Sequence, residues 1–365
     1  MKIKVKEELI GLAPYQPGKP IEEVKRELGL DKITKLASNE NPFGCSEKAK
    51  AAIKDSLHEL ALYPDGYAKM MREKVAQFIG VDENQLIFGN GSDELIAILC
   101  TALLSAEKNT VMANPSFSQY SHNATIQGAE IRMVENINGE HDLEGMLNAI
   151  DENTAIVWVC NPNNPTGTYI QENKIRDFIK KIPGHVLIVM DEAYNEYVVA
   201  QDYPNTLSYL NDYPNMMVLR TFSKAYGLAA LRVGYGVAHP DLIKALDPAR
   251  GPFNTSRIAH YAITAAIDDQ DFIQNCVNKN REGLDQFYQF CQEKNLEYFP
   301  SQANFIMIDF KRSGQVVFDY LLKKGFIVRS GTALGYPTSV RITVGSRQQN
   351  EEIIQALTEM LEESR

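Results

Sequence analysis

Continuous apolar runs, each closed by a polar cluster, set the pattern of the middle of this chain. Ile156-Val157-Trp158-Val159-Cys160, Val186 to Met190, Met216 to Leu219 and Val233 to Val237 have the length of strands and no polar alternation. Such runs suit strands buried on both faces of a mostly parallel sheet. Leu86-Ile87-Phe88-Gly89 reads as a further strand and precedes a helix around Asp93 to Leu104; Thr110 to Ala113 and Ile131 to Val134 also read as strands. Strand and helix alternate, which predicts an α/β architecture.

After about residue 265 the pattern changes. A long helical stretch, Asp271 to Lys294, leads to three short apolar runs: Asn304 to Ile308, Gly325 to Arg329 and Val340 to Val344. They predict a smaller α+β domain closed by a helix over Asn350 to Glu362. Pro14, Pro17, Pro20 and Pro42 make the start of the chain read as an arm. The expected organisation is an arm over 1–45 that joins the small domain, a large domain over 46–265 and a small domain over 266–365.

The polar clusters are Gly89-Asn90-Gly91-Ser92-Asp93, Asn161 to Gly167, Asp191 to Tyr194 and Ser223-Lys224. In open α/β sheets ligands bind at the carboxyl ends of strands, so the sheet could bring these four separate segments together. The run Thr221-Phe222-Ser223-Lys224, with Arg232 eight residues beyond the lysine, is the most telling. A lysine at the end of a core strand is costly unless it is paired or used covalently. Lysine amines form Schiff bases with carbonyl cofactors, pyridoxal phosphate foremost. Ser223 and Arg232 are donors that a phosphate would need. Taken alone, Ser-Lys also fits a lysine that snorkels from a strand end.

Composition narrows the classes. The chain has 365 residues, 44% hydrophobic and 23% charged, room for two domains with a large core. A net charge of -10 without a basic cluster argues against nucleic acid as a partner. Cys45, Cys100, Cys160, Cys276 and Cys291 are scattered and lack the spacing of a zinc site. Reduced thiols in a cytoplasmic protein are the simplest account. Met1 to Gly11 lacks the apolar core of a signal peptide, and Leu95 to Leu104 is too short to span a bilayer, so no membrane role is expected.

Taken in order, the motifs resemble those of the fold-type I pyridoxal-phosphate-dependent aminotransferases, from about residue 10 to the C-terminus. They are Ala37-Ser38-Asn39-Glu40-Asn41-Pro42-Phe43-Gly44, Tyr63-Pro64-Asp65-Gly66, Gly89 to Glu94, Asn163-Asn164-Pro165-Thr166-Gly167, Asp191-Glu192-Ala193-Tyr194, the Lys224 run and Val340 to Gly345. The arm Tyr15-Gln16-Pro17-Gly18-Lys19-Pro20 is similar to that of the histidinol-phosphate branch. The resemblance implies a large domain whose mostly parallel sheet is flanked by helices, a smaller α+β C-terminal domain and an N-terminal arm.

It also implies roles. Lys224 carries the cofactor and shuttles the proton, and Asp191 faces the pyridinium nitrogen. Asn164 and Tyr194 bond the ring oxygen. Ser92, Asp93, Ser223 and Arg232 hold the phosphate, and Phe117 stacks on the ring where many members have tyrosine. Tyr63 reaches the neighbouring subunit's site, which makes the unit a homodimer. Arg341, Arg329, Tyr15 and Asn41 bind substrate. Simpler readings stand beside these: an N-cap for Asp191, turn chemistry for Asn164, core packing for Phe117, and surface ion pairs for the arginines. The implied reaction is ping-pong transamination of L-histidinol phosphate with the glutamate/2-oxoglutarate pair in histidine biosynthesis. Alternatives are a broad aromatic aminotransferase, a threonine-phosphate decarboxylase, or a non-catalytic cofactor-binding module.

Overall fold

The apolar runs become the inner strands of a seven-stranded sheet. A computed structural model describes residues 3–14 and 19–363. In spatial order the strands are Leu86–Gly89, Gly234–Ala238, Met216–Thr221, Leu187–Asp191, Thr154–Cys160, Asn109–Asn114 and Glu130–Glu135. All neighbours pair in parallel except Gly234–Ala238, which runs antiparallel to both of its own. Every residue of Leu187–Asp191 is buried.

Alternate residues of each strand serve two cores, as the period of a strand requires. Val157, Val159, Ile188 and Met190 face Ile175, Phe178, Ala262 and Ile263. The last four lie on the helices Glu172–Ile179 and Arg257–Ile267. Ile156, Trp158, Val189 and Leu219 face Leu95, Leu99, Tyr120 and Ala124, which lie on the helices Ser92–Leu103 and Gln119–Ile126. The edge strand Glu130–Glu135 carries Glu130, Arg132 and Glu135, charges that discourage pairing with another chain.

The expected helix over Asp271 to Lys294 spans Gln270–Lys294 and stops at left-handed Asn295. A second sheet orders Arg329–Ser330, Ser339–Thr343, Phe305–Asp309 and Glu297–Tyr298, all antiparallel. It packs on Leu284, Phe287 and Phe290 of the long helix and on Ile353 and Leu357 of the helix Arg347–Glu363. The run 325–329, expected as one strand, is two. Phe326–Ile327 pairs in parallel with Thr34–Lys35, whereas Arg329–Ser330 pairs with Ser339–Thr343. The N-terminal segment also holds the helix Ile21–Leu28, whose Val24 is buried against Ala37 and Ile327. Among the described residues, no helix is long and apolar enough to cross a membrane.

Gly227 closes the loop that follows Lys224. Its φ is +67°, and a Cβ there would lie 1.8 Å from the Gly44 carbonyl oxygen. The backbone of Gly44 therefore fits against this loop only because no side chain intervenes. Gly227→Ala should destabilise the protein by roughly 2–4 kcal/mol, read from chemical denaturation. A change well under that would mean the loop can move aside.

Candidate active site

At the carboxyl edge of the large sheet lies a cavity of about 330 Å³. Strand ends supply its floor. Ser92 and Asp93 follow Leu86–Gly89, and Phe117 follows Asn109–Asn114. Asn164 follows Thr154–Cys160, Asp191 ends its own strand, and Ser223 and Lys224 follow Met216–Thr221. Arg232 reaches the same edge because Gly234–Ala238 runs the other way and starts opposite Gly89 and Thr221. Arg341 comes from the second sheet.

Asp191 is 2% exposed. Its Oδ2 accepts from the Tyr120 hydroxyl at 2.6 Å, and its Oδ1 accepts from the Ala193 N–H at 3.2 Å. Burial nevertheless lifts its carboxyl to about 6, with those bonds opposing. Tyr120 is held in turn: its ring stacks on Trp158 at 4.7 Å, and Phe117 meets it edge-on at 5.6 Å. The Trp158 indole donates to Thr110 Oγ1 at 2.8 Å.

The Lys224 amine donates to the Ser38 carbonyl at 3.3 Å and sits 5.6 Å from the centre of the Tyr194 ring. Burial first, then the charge of Arg341, brings its pKa down to about 8. An amine in that range exchanges its proton readily near neutrality. The Tyr194 hydroxyl accepts from Asn39 Nδ2 at 2.9 Å. Arg341 donates to Asn164 Oδ1 at 2.5 Å and to the Ala37 carbonyl at 2.8 Å.

At the cavity's other end the helix Ser92–Leu103 begins after Gly91, whose φ is +78°. A Cβ on Gly91 would meet Arg232 Nη2 at 2.5 Å. Arg232 also donates to Ser223 Oγ at 3.3 Å and pairs with Asp93 at 3.3 Å. Free N–H groups of a helix start, a serine hydroxyl and a guanidinium together make an anion cradle.

Ten of the expected residues line this one cavity: Ser92, Asp93, Phe117, Asn164, Asp191, Tyr194, Ser223, Lys224, Arg232 and Arg341. Arg329 lines an adjoining cavity of about 480 Å³ that shares Phe117, Asn164 and Arg341 with the first. Asn41, expected to line the substrate pocket, is not among the lining residues of either cavity. Its amide donates to the Ala225 carbonyl at 2.7 Å and to Cys276 Sγ, and its Oδ1 accepts from the Phe43 N–H. Tyr63 is 77% exposed and stacks on Phe253 at 4.9 Å. Tyr15 lies outside the described residues. Sequence reading missed Asn39, Ser38 and Tyr120. The first two fall inside the Ala37 to Gly44 motif, and Tyr120 sits three residues after Phe117; position in a motif was the only signal they offered.

The family model described as aminotransferase class I and II matches residues 31–357. The chain belongs to that family. The histidinol-phosphate aminotransferase of Geobacillus sp. strain WCH70 is 63% identical over 361 residues, 99% of each chain. That of Anoxybacillus flavithermus is 61% identical over 363 residues, 100% of this chain and 98% of the other. Among solved structures, the histidinol-phosphate aminotransferase of Sinorhizobium meliloti in complex with pyridoxal-5'-phosphate has a TM-score of 0.91 at 26% identity. It covers 99% of this chain and 98% of its own.

The buried carboxyl of this aminotransferase has a pH signature. Because the folded pKa of Asp191 lies near 6 and its ordinary value near 3.8, the neutral form is favoured in the fold. The resulting stabilisation is complete below about 3.8 and disappears as pH rises through 6. About two units at 1.36 kcal/mol each give roughly 3 kcal/mol. In protein freed of small molecules, urea unfolding between pH 4 and 7 should show wild type losing about that much relative to Asp191→Asn. A pH-independent difference between the two would refute the raised carboxyl.

Proposed function

We propose that this protein is a pyridoxal-phosphate-dependent transaminase that converts L-histidinol phosphate and 2-oxoglutarate to imidazole acetol phosphate and L-glutamate, a step of histidine biosynthesis. The observation that carries the chemistry is one cavity holding a lysine amine lowered to about 8, a buried carboxyl raised to about 6 and an arginine-braced helix start. The substrate is supported by relatives at 57–63% identity that bear the histidinol-phosphate aminotransferase name.

The donor set fits the cofactor. Asp191, expensive as a lone buried anion, is suited to a protonated ring nitrogen. The cradle at Gly91, where a Cβ would collide with Arg232, suits a phosphate. When bound, pyridoxal phosphate supplies an aldehyde for the substrate's amine and a ring that accepts the electrons left on the amine-bearing carbon.

The chain's own residues do the rest. Lys224 Nζ would hold the cofactor through its aldehyde carbon, and as a free amine it would move the proton between the substrate α-carbon and C4'. Asp191 keeps the ring nitrogen protonated, and Tyr120 and the Ala193 N–H hold the carboxylate in place. Asn164 and Tyr194 meet the ring oxygen, and Phe117 covers the ring face. The N–H groups of Ser92 and Asp93, with Ser223 and Arg232, hold the phosphate. Arg341 and Arg329, with Tyr15, take the anionic end of the substrate.

Three further parts belong to this reading. The chain divides into an arm over 1–45, a cofactor-binding domain over 46–265 and a small domain over 266–365. Two copies form an isologous dimer in which Tyr63 completes the partner's site. Exposed Leu57, Leu60, Leu62, Tyr63, Tyr67 and Phe253 support an interface there. Five cysteines without disulfides suit a cytoplasmic location.

A spectral half-reaction without keto acid tests the reading. Histidinol phosphate should convert the bound cofactor at least about tenfold more efficiently than phenylalanine. Equal rates would make the enzyme a broad aromatic aminotransferase, and carbon dioxide from O-phosphothreonine would make it a lyase. Lys224→Ala should lower turnover by about ten-thousand-fold or more. For the dimer, Lys224→Ala and Tyr63→Ala chains, each inactive alone, should regain about a quarter of wild-type activity when unfolded and refolded as an equal mixture, because half of the dimers then carry one intact site. No recovery would separate Tyr63 from the partner's site.

A further inference from the structure

Asn39 is 1% exposed and holds a left-handed φ of +56°. Apart from glycine, asparagine and aspartate are the residues that adopt that backbone most readily. Each of its polar groups is engaged. Its N–H donates to Thr343 Oγ1 at 3.0 Å, and the Thr343 hydroxyl donates back to Asn39 Oδ1 at 3.1 Å. Asn304 Nδ2 donates to its carbonyl at 3.0 Å. With Oδ1 turned to Thr343, Nδ2 is left to face Tyr194 and donates to the phenol oxygen at 2.9 Å. The Tyr194 ring cannot swing away, because Phe305 of the second sheet meets it edge-on at 5.2 Å.

The direction of that bond matters. A phenol that accepts from an amide must send its own hydrogen elsewhere, and Tyr194 lines the cavity. We infer that Asn39 is a positioning residue for the reaction: by donating to Tyr194 it turns the phenol hydrogen into the cavity, toward an anionic oxygen on the ring of the bound cofactor. The inference rests on the cofactor reading above. It deepens that reading by giving the second sheet a part in it, since Thr343 fixes Asn39, and Asn39 fixes Tyr194. Burial raises the Tyr194 phenol well above its ordinary value, with the charge of Arg341 and then this bond opposing, so the hydroxyl keeps its hydrogen and can donate it.

A donor aimed at the ring oxygen stabilises the state in which that oxygen holds its negative charge unshared. It therefore lowers the pH at which the bound cofactor releases its proton. In the holoenzyme, the apparent pKa of the cofactor's visible absorbance should rise by roughly 0.5–1 unit in Asn39→Gly, which keeps the left-handed backbone. Thr343→Val, which frees the amide to rotate, should give a smaller shift of the same sign, and it carries the test if Asn39→Gly does not fold. In a Tyr194→Phe background neither change should add anything, because the effect passes through the hydroxyl. An unshifted pKa in the single variants, or the full shift persisting beside Tyr194→Phe, would overturn the inference. Wild type that binds no cofactor with visible absorbance would instead remove the reading on which it rests.

Discussion

The site depends on keeping one amine and one carboxyl out of bulk water at the same sheet edge. Desolvation disfavours the charged form of each, so Lys224 moves down and Asp191 moves up, and the two approach neutrality from opposite sides. Neither could persist on a small scaffold. A sheet with a core on each face supplies the stability that two such groups subtract. Their immediate surroundings differ in purpose. Asp191 has Tyr120 and a backbone N–H holding its oxygens, which fixes its direction. Among the described residues Lys224 makes one long hydrogen bond, to the Ser38 carbonyl, a looser hold that leaves the amine able to move. A fixed carboxylate beside a mobile amine is what a proton shuttle over an anchored ring requires.

The second sheet is more than a lid. Arg341 and Thr343, two residues apart on one strand, point the same way. The first reaches Asn164 and the Ala37 carbonyl, the second Asn39. Segment 37–39 thus lies between the two sheets, bonded to Arg341, Lys224 and Tyr194. Any shift of the Ser339–Thr343 strand is transmitted to three groups of the cavity at once.

The large sheet was legible because its strands are buried on both faces, which leaves continuous apolar runs such as Ile156 to Cys160. The clustering of polar residues at strand ends was legible for the same reason, since parallel strands share one carboxyl edge. What could not be read was pairing across the chain. Phe326-Ile327-Val328 is one apolar run, yet the hydrogen-bond partner changes within it, from Thr34–Lys35 to Ser339–Thr343. Hydrophobicity reports burial and is silent on partners. Asn39 and Tyr120 were missed likewise: their partners lie 155 and 71 residues away. Asn in a loop and Tyr in a short helix are ordinary locally.

The arginines raise a different question, that of two substrates in one pocket. In the proposed cycle the same anion site must accept a phosphate monoester in one half and a dicarboxylic acid in the other. A site shaped for one alone would reject the other by leaving buried polar groups unmatched. Guanidinium groups escape this, because their planar fork meets a carboxylate or a phosphate with the same pair of donors. Arg341 is pinned from both sides by Asn164 and Ala37, so it offers a constant fork next to the reacting centre. Arg329 stands on the two-residue edge strand Arg329–Ser330 in the adjoining cavity, where the backbone is held on one side only. In the proposed reading both arginines meet the substrate's anionic end, Arg341 from inside the cavity and Arg329 from the adjoining one. Both stand on the smaller sheet, so in this reading one sheet offers the anion site and the other the groups that move the proton.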